Sequence, residues 1–182
     1  MTEERSLHGK LWRLRRGLTF TPYANPRRCN AHCAFCSEEL LRLDADRLSA
    51  KTVIGDHDRY FAGLSRAWDD LCGFPMGMSL SGLEATSDPA WMLRLLALIE
   101  AYDELFPERV LYTNGTGLCT HPTLIDGLEM AHFDRVELSR CHFDEVVNQR
   151  IMRFDRGQPV RAHEADLWQG CTLRSNLEDG SK

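Results

Sequence analysis

An alternation of short β-prone runs with amphipathic helical stretches is the strongest constraint on the fold of this chain. Leu18-Thr19-Phe20-Thr21 is alternating and β-rich, a short strand. Tyr60, Phe61, Leu64, Trp68 and Leu71 follow helical spacing between Asp56 and Leu71, and Gly73 and Pro75 close that helix. Met76 to Leu80 reads as a second strand. Asp88-Pro89 then supplies a cap and a first-turn proline for a helix striped by Met92, Leu95, Leu96 and Ile99. Arg109–Thr113 and Arg135–Ser139 read as further strands, with helices over Leu124–Met130 and Asp144–Met152 and a fifth strand over Cys171–Arg174. Ser37 to Leu43 reads as a helix with acids in its first turn. Strand and helix in repetition specify an α/β chain: a parallel sheet with right-handed crossovers.

In such sheets the working residues sit just past the C-terminal strand ends. The polar turns of this chain fall there. A cysteine-bearing loop follows the first strand, Ser81-Gly82-Leu83-Glu84 the second, Thr113-Asn114-Gly115 the third, and Ser139-Arg140-Cys141-His142 the fourth. Cys141 and His142 are placed where they could face a substrate.

With 182 residues the chain suits one domain. Residues 1–10 are polar and read as a mobile start, 11–177 as the core, and 178–182 as a flexible tail. A net charge of −5 argues against a nucleic-acid coat protein. The basic run Lys10 to Arg16 reads as a solvated face, with docking of an acidic electron donor as the other reading. No apolar run of roughly 7–15 residues follows it, so it is not a secretory signal. Ala90 to Ile99 is broken by Arg94 and half the length of a membrane span. The expectation is a soluble, cytoplasmic protein.

Three of seven cysteines crowd into one loop as C-x3-C-x2-C: Cys29, Cys33 and Cys36. Thiolates this close can converge on one centre in a reducing compartment. A four-iron cluster usually takes four cysteines. Three would leave one iron open to a chelating small molecule. A structural zinc site wants four ligands, usually as two pairs, and no second pair is present. Chance clustering of buried thiols is the remaining alternative. Cys72, Cys119, Cys141 and Cys171 share no ligand spacing and read as buried apolar filler. Trp12, Trp68, Trp91 and Trp168 read as core or interface.

Cys29-Asn30-Ala31-His32-Cys33-Ala34-Phe35-Cys36 resembles the cluster loop of the radical S-adenosylmethionine (radical SAM) superfamily. Leu80-Ser81-Gly82-Leu83-Glu84-Ala85-Thr86 is similar to that family's glycine–glycine–glutamate–proline turn, with leucine for the second glycine and alanine for the proline. Tyr112-Thr113-Asn114-Gly115 and Glu137-Leu138-Ser139 resemble its next two strand ends. The resemblance spans about residues 17 to 142. It implies a [4Fe-4S] cluster on Cys29, Cys33 and Cys36, with SAM chelating the open iron. One electron would cleave SAM to methionine and a 5′-deoxyadenosyl radical, which abstracts hydrogen from a substrate. Glu84, with the backbone near Ser81 and Gly82, would hold the SAM ammonium. The backbone at Phe35 would face the adenine, Ser139 the ribose or carboxylate, and Asn114 the same pocket.

The resemblance also implies a partial (β/α) barrel, usually of six units. Four units and a fifth strand are countable here. A minimal version, a partner that completes the sheet or self-associates at its open edge, and a fragment of a longer enzyme are all compatible. The implied reductant is a flavodoxin or ferredoxin. The substrate is open among natural products, peptides and glycyl-radical enzymes, with no membrane or nucleic acid expected. Two rival readings are a zinc-stabilised, non-catalytic binding module and an inactive fragment.

Overall fold

The structure, a computed structural model, describes residues 2–36, 53–142, 144–155 and 172–175. Its centre is a parallel sheet of five strands: β3 (Thr19–Phe20), β4 (Gly77–Leu80), β5 (Glu108–Thr113), β6 (Arg135–Leu138) and β7 (Thr172–Ser175). Their spatial order is their chain order, and every neighbouring pair is parallel. Helix α1 (His57–Asp70) connects β3 to β4, and α2 (Pro89–Ala101) connects β4 to β5. Helices α3 (Thr116–Thr120) and α4 (Thr123–Met130) precede β6, and α5 (Glu145–Met152) follows it. Doubly wound sheets reverse strand order at a switch point. This sheet does not, so crossovers of the usual hand all lie on one face.

The burial pattern shows the same asymmetry. Met78, Leu80, Leu111, Val136 and Leu138 are buried and share a core with Trp68, Leu95, Leu96 and Ile99 of α1 and α2. The opposite face carries Ser79, Tyr112, Arg135 and Glu137, all half-buried or exposed, with Val110 as its buried exception. Register puts Tyr112 beside Glu137 and Val110 beside Arg135. Trp68 gathers Phe20 of the edge strand at 6.0 Å, Phe106 at 4.9 Å and Tyr102 at 5.2 Å between ring centroids. Trp91 is also core, whereas Trp12 is exposed.

Helix starts follow their sequence signals. Asp56, Asp88 and Asp144 each accept a backbone N–H three residues on, from Arg59, Trp91 and Val147. Pro89 occupies the first turn of α2.

The N-terminus differs from expectation. Residues expected to be mobile form β1 (Thr2–Leu7), which pairs antiparallel with β2 (Lys10–Arg15). His8 and Gly9 both take positive φ, 50° and 75°, the two-residue turn whose twist suits a hairpin. The hairpin is fastened to the domain by Arg5, which donates to the carbonyls of Cys72 and Gly73, and by the His8 N–H on Asp70. Lys10 to Arg13 are exposed, as a solvated face requires. Cys72, expected as buried filler, is exposed; Leu71 and Phe74 on either side take the buried positions in that turn. The helix expected over Ser37–Leu43, the tail, Trp168 and Cys171 lie outside the described residues. Among the described residues, no helix is long and apolar enough to cross a membrane.

Candidate functional site

The cysteine loop is clamped from two sides. On one side stands the C-terminal end of α5, whose last carbonyls have no partner within the helix. The His32 N–H donates to the carbonyls of Met152 and Arg153 at 3.0 and 3.2 Å, and the Ala34 N–H to that of Ile151 at 3.1 Å. The Asp155 N–H returns a bond to the Asn30 carbonyl, and the Asp155 carboxylate meets His32 Nε2 at 3.1 Å. On the other side is the end of β5. Asn114 donates to Asn30 Oδ1 at 2.8 Å, and Asn30 donates to Thr116 Oγ1 at 2.7 Å. Thr116 closes the triangle with two bonds to Asn114 Oδ1. The loop is thereby set against strand ends far from it in sequence.

Cys29, Cys33 and Cys36 line one cavity of about 330 Å³. Phe35, Ser81, Gly82, Glu84, Asn114 and Ser139 line it too, so all nine site residues read from the sequence meet there. Tyr112, Thr113 and Met152 complete much of the wall; Tyr112 and Thr113 belong to the strand end read from the sequence, and Met152 was not anticipated. Met152 carried no signal beyond an apolar position at the end of a helix.

The three cysteines all contribute to the wall of that cavity. Among the described residues, no three His, Cys, Asp or Glu side chains are grouped about a point suited to one ion. A zinc ion needs four donors at roughly 2.0–2.3 Å. A four-iron cluster is usually held by four cysteine thiolates, of which the cavity wall offers three. Burial pushes the Cys29 thiol up to about 12, and the charges of Glu84, Cys33 and Cys36 add to this, while the Ala31 N–H pulls it back. A metal centre would therefore release that proton on binding. Asn114 Nδ2 lies 3.9 Å from Cys29 Sγ, a weak donor contact to sulfur.

Glu84 has a role that the sequence did not reveal. It is 3% exposed. Its Oε1 accepts from the Thr86 N–H at 3.2 Å and from the hydroxyls of Thr86 and Thr113, each at 2.6 Å. Its Oε2 accepts one bond, from the Asn114 N–H at 2.7 Å. The carboxylate ties the end of β4 to the end of β5 and keeps acceptor capacity on Oε2, since each oxygen has two lone pairs. Burial raises its pKa, and the four donors only partly offset that.

The turn before Glu84 depends on Asn25, which is 2% exposed. Its Oδ1 accepts the Leu83 N–H at 2.7 Å. Gly82 takes φ +153°, and a Cβ there would fall 2.4 Å from that same oxygen. Leu83, where the resembled motif has glycine, does not take a positive φ, so its side chain costs the turn nothing. Behind the site, a Cβ on Gly117 would lie 2.2 Å from the Thr86 carbonyl oxygen. That contact is with backbone and cannot swing aside. Gly117→Ala is expected to cost about 1–3 kcal/mol, read as a lower urea midpoint with an unchanged slope.

Cys141 does not line the cavity. Its Sγ turns onto Met152 Sδ at 3.5 Å. His142 is exposed, and its Nδ1 accepts the Asp144 N–H at 2.9 Å, which makes it part of the start of α5. His121 stands between the end of α3 and the start of α4.

No family model matches the chain, and no curated protein sequence matches it.

Proposed function

We propose that this chain is a radical SAM enzyme, with the parallel sheet β3 to β7 forming part of a partial barrel. One observation carries the reading. Nine residues from four separate strand-end segments, singled out by the cysteine spacing and the family resemblance, line a single cavity.

Cys29, Cys33 and Cys36 would hold a [4Fe-4S] cluster. When bound, the cluster and SAM would supply a one-electron cleavage that yields methionine and a hydrogen-abstracting 5′-deoxyadenosyl radical. The protein's own contribution is positioning and exclusion of water. Glu84 Oε2, with its remaining lone pair, suits the SAM ammonium. Ser139 is held at the rim by its N–H bond to the Thr113 carbonyl at 2.8 Å, and suits the ribose or carboxylate. The backbone at Phe35, on the cavity wall, suits the adenine. The polar sheet face with Tyr112 and Glu137 is the surface on which a substrate would lie. A flavodoxin or ferredoxin would supply the electron.

The test is electron paramagnetic resonance on anaerobically reconstituted, dithionite-reduced protein, with and without SAM. A four-iron signal that changes shape with SAM is the expected result. Bound zinc and no cluster would overturn the proposal. Serine at Cys29, Cys33 or Cys36 is expected to abolish SAM cleavage.

Asn114 makes a finer prediction. Its amide is a donor to the Cys29 sulfur, and such donors raise cluster potentials. Asn114→Ala is expected to lower the reduction potential by on the order of 60 mV, the equivalent of one weak charge-assisted hydrogen bond in a one-electron couple. Potentiometric titration at matched iron content checks it.

A further inference from the structure

Cys33, Met152 and Cys141 form a continuous line of sulfur. Cys33 Sγ lies 3.6 Å from Met152 Sδ, and Cys141 Sγ lies 3.5 Å from the same atom. The two thiols are thus no further apart than those two contacts laid end to end. Met152 is 1% exposed and reaches the cavity wall, with Cys141 directly behind it.

This arrangement is fixed by one helix. The Cys141 N–H donates to Asn148 Oδ1 at 2.9 Å, and Asn148 is 5% exposed. Asn148 and Met152 are one turn apart on α5, so they share a face. The end of that same helix accepts the amides of the cysteine loop. The position of a fourth thiol is therefore tied to the position of the other three. Between Cys141 and Cys33 along this line stands the Met152 thioether, unbranched and with three rotatable bonds.

We propose that Cys141 is a fourth, exchangeable thiol of the metal centre, which takes the open iron while SAM is absent and yields it when SAM arrives. This rests on the cluster reading above and extends it. Four-iron clusters are usually held by four cysteines, and the loop supplies three. The Met152 side chain changes rotamer to let Cys141 Sγ through. The Cys141 thiol gives its proton to solvent as the S–Fe bond forms. It takes a proton back when the amino and carboxylate groups of SAM replace it, with no change in oxidation state. The consequence is a centre shielded from solvent in its resting form.

The test uses the full-length wild-type chain. Cys141 alkylation by N-ethylmaleimide is followed by peptide mass spectrometry in the metal-free, cluster-loaded, and cluster-plus-SAM forms. Cys141 is expected to react at least about tenfold more slowly once the cluster is loaded, because the bound thiolate is not available as nucleophile. SAM is expected to restore the rate. A companion variant, Cys141→Ala, is expected to change the electron paramagnetic resonance signal without SAM and to match wild type with it.

Equal Cys141 reactivity with and without cluster would overturn the proposal and leave the radical SAM reading standing, as would a Cys141→Ala signal identical to wild type without SAM. Protection that SAM does not lift would overturn the exchange and make Cys141 a permanent ligand. Wild-type protein that takes up no iron would overturn both this proposal and the reading beneath it.

Discussion

Glu84→Ala is expected to destabilise the protein by several kcal/mol, about 1–3 kcal/mol for each buried donor left without an acceptor. Four donors converge on this carboxylate: the N–H and hydroxyl of Thr86, the Thr113 hydroxyl and the Asn114 N–H. Deleting it leaves buried donors without acceptors and unties the end of β4 from that of β5. Glu84→Gln is the finer probe. It keeps one acceptor oxygen but turns an NH2 group toward a donor, so about 1–3 kcal/mol is expected. Urea denaturation reads both. Loss of the clamp also displaces Asn114 from Asn30, so cluster uptake by Glu84→Ala should fall even at temperatures where the chain is folded.

The same residue gives a pH dependence with a definite sign. Burial raises the Glu84 pKa above the ordinary carboxylate range. The folded chain then binds this proton more tightly than the unfolded chain does. Its contribution to stability is full below the unfolded pKa and is lost as pH rises through the raised folded value. Urea midpoints of the ligand-free protein should carry this falling component, and Glu84→Gln should remove it. A bound ammonium group facing Oε2 would favour the ionised form and shrink the effect.

Arg109→Ala is expected to cost several kcal/mol, about 1–3 kcal/mol for each buried carbonyl left without its donor, but without a direct effect on the cavity. Arg109 is 2% exposed. Its Nε donates to the Phe106 carbonyl and its Nη2 to the Asp103 carbonyl, each at 2.8 Å, and its Nη1 to the Ala131 carbonyl. The Asp103 carboxylate completes the set at 2.6 Å. One guanidinium thus satisfies three carbonyls in the turns that deliver the chain into β5 and β6. Arg109→Met keeps most of the apolar stem and isolates the loss of donors. Both variants should lower the thermal midpoint, while the folded fraction keeps its cluster signal and its response to SAM. His132 and Arg109 hold the Asp103 carboxyl below its ordinary range, so this link weakens as pH falls through that lowered value.

The cysteine loop, strand ends and helix caps were legible because each depends on neighbours in sequence. The Asp88-Pro89 start of α2 needs only a side-chain acceptor and a fixed φ within one turn. The core stripe of α1 needs only apolar residues at helical spacing, and Phe61, Leu64 and Trp68 are buried as that spacing requires. The cysteines stand within eight residues, and their spacing alone proposes a shared centre. The N-terminal hairpin was not legible. Its strands carry Glu3, Arg5, Lys10 and Arg13 where a buried strand would carry apolar residues, so no period-two hydrophobic signal marks it.

What the sequence by itself determined is the order of the parallel strands and of the helices α1, α2, α4 and α5 between and after them, the parallel sheet they imply, and which residues stand at the strand ends. These follow from local propensity and periodicity, which act over a few residues. Only the tertiary structure decided what those strand ends do to one another. It turned Glu84 into a clamp for β4 and β5, seated the loop amides on the end of α5, and brought Cys141 onto the sulfur of Met152. The physical reason is that buried polar groups take whichever partners the packed chain brings within reach. Those partners are separated by 30 residues for Glu84 and Asn114, and by 119 for Cys33 and Met152.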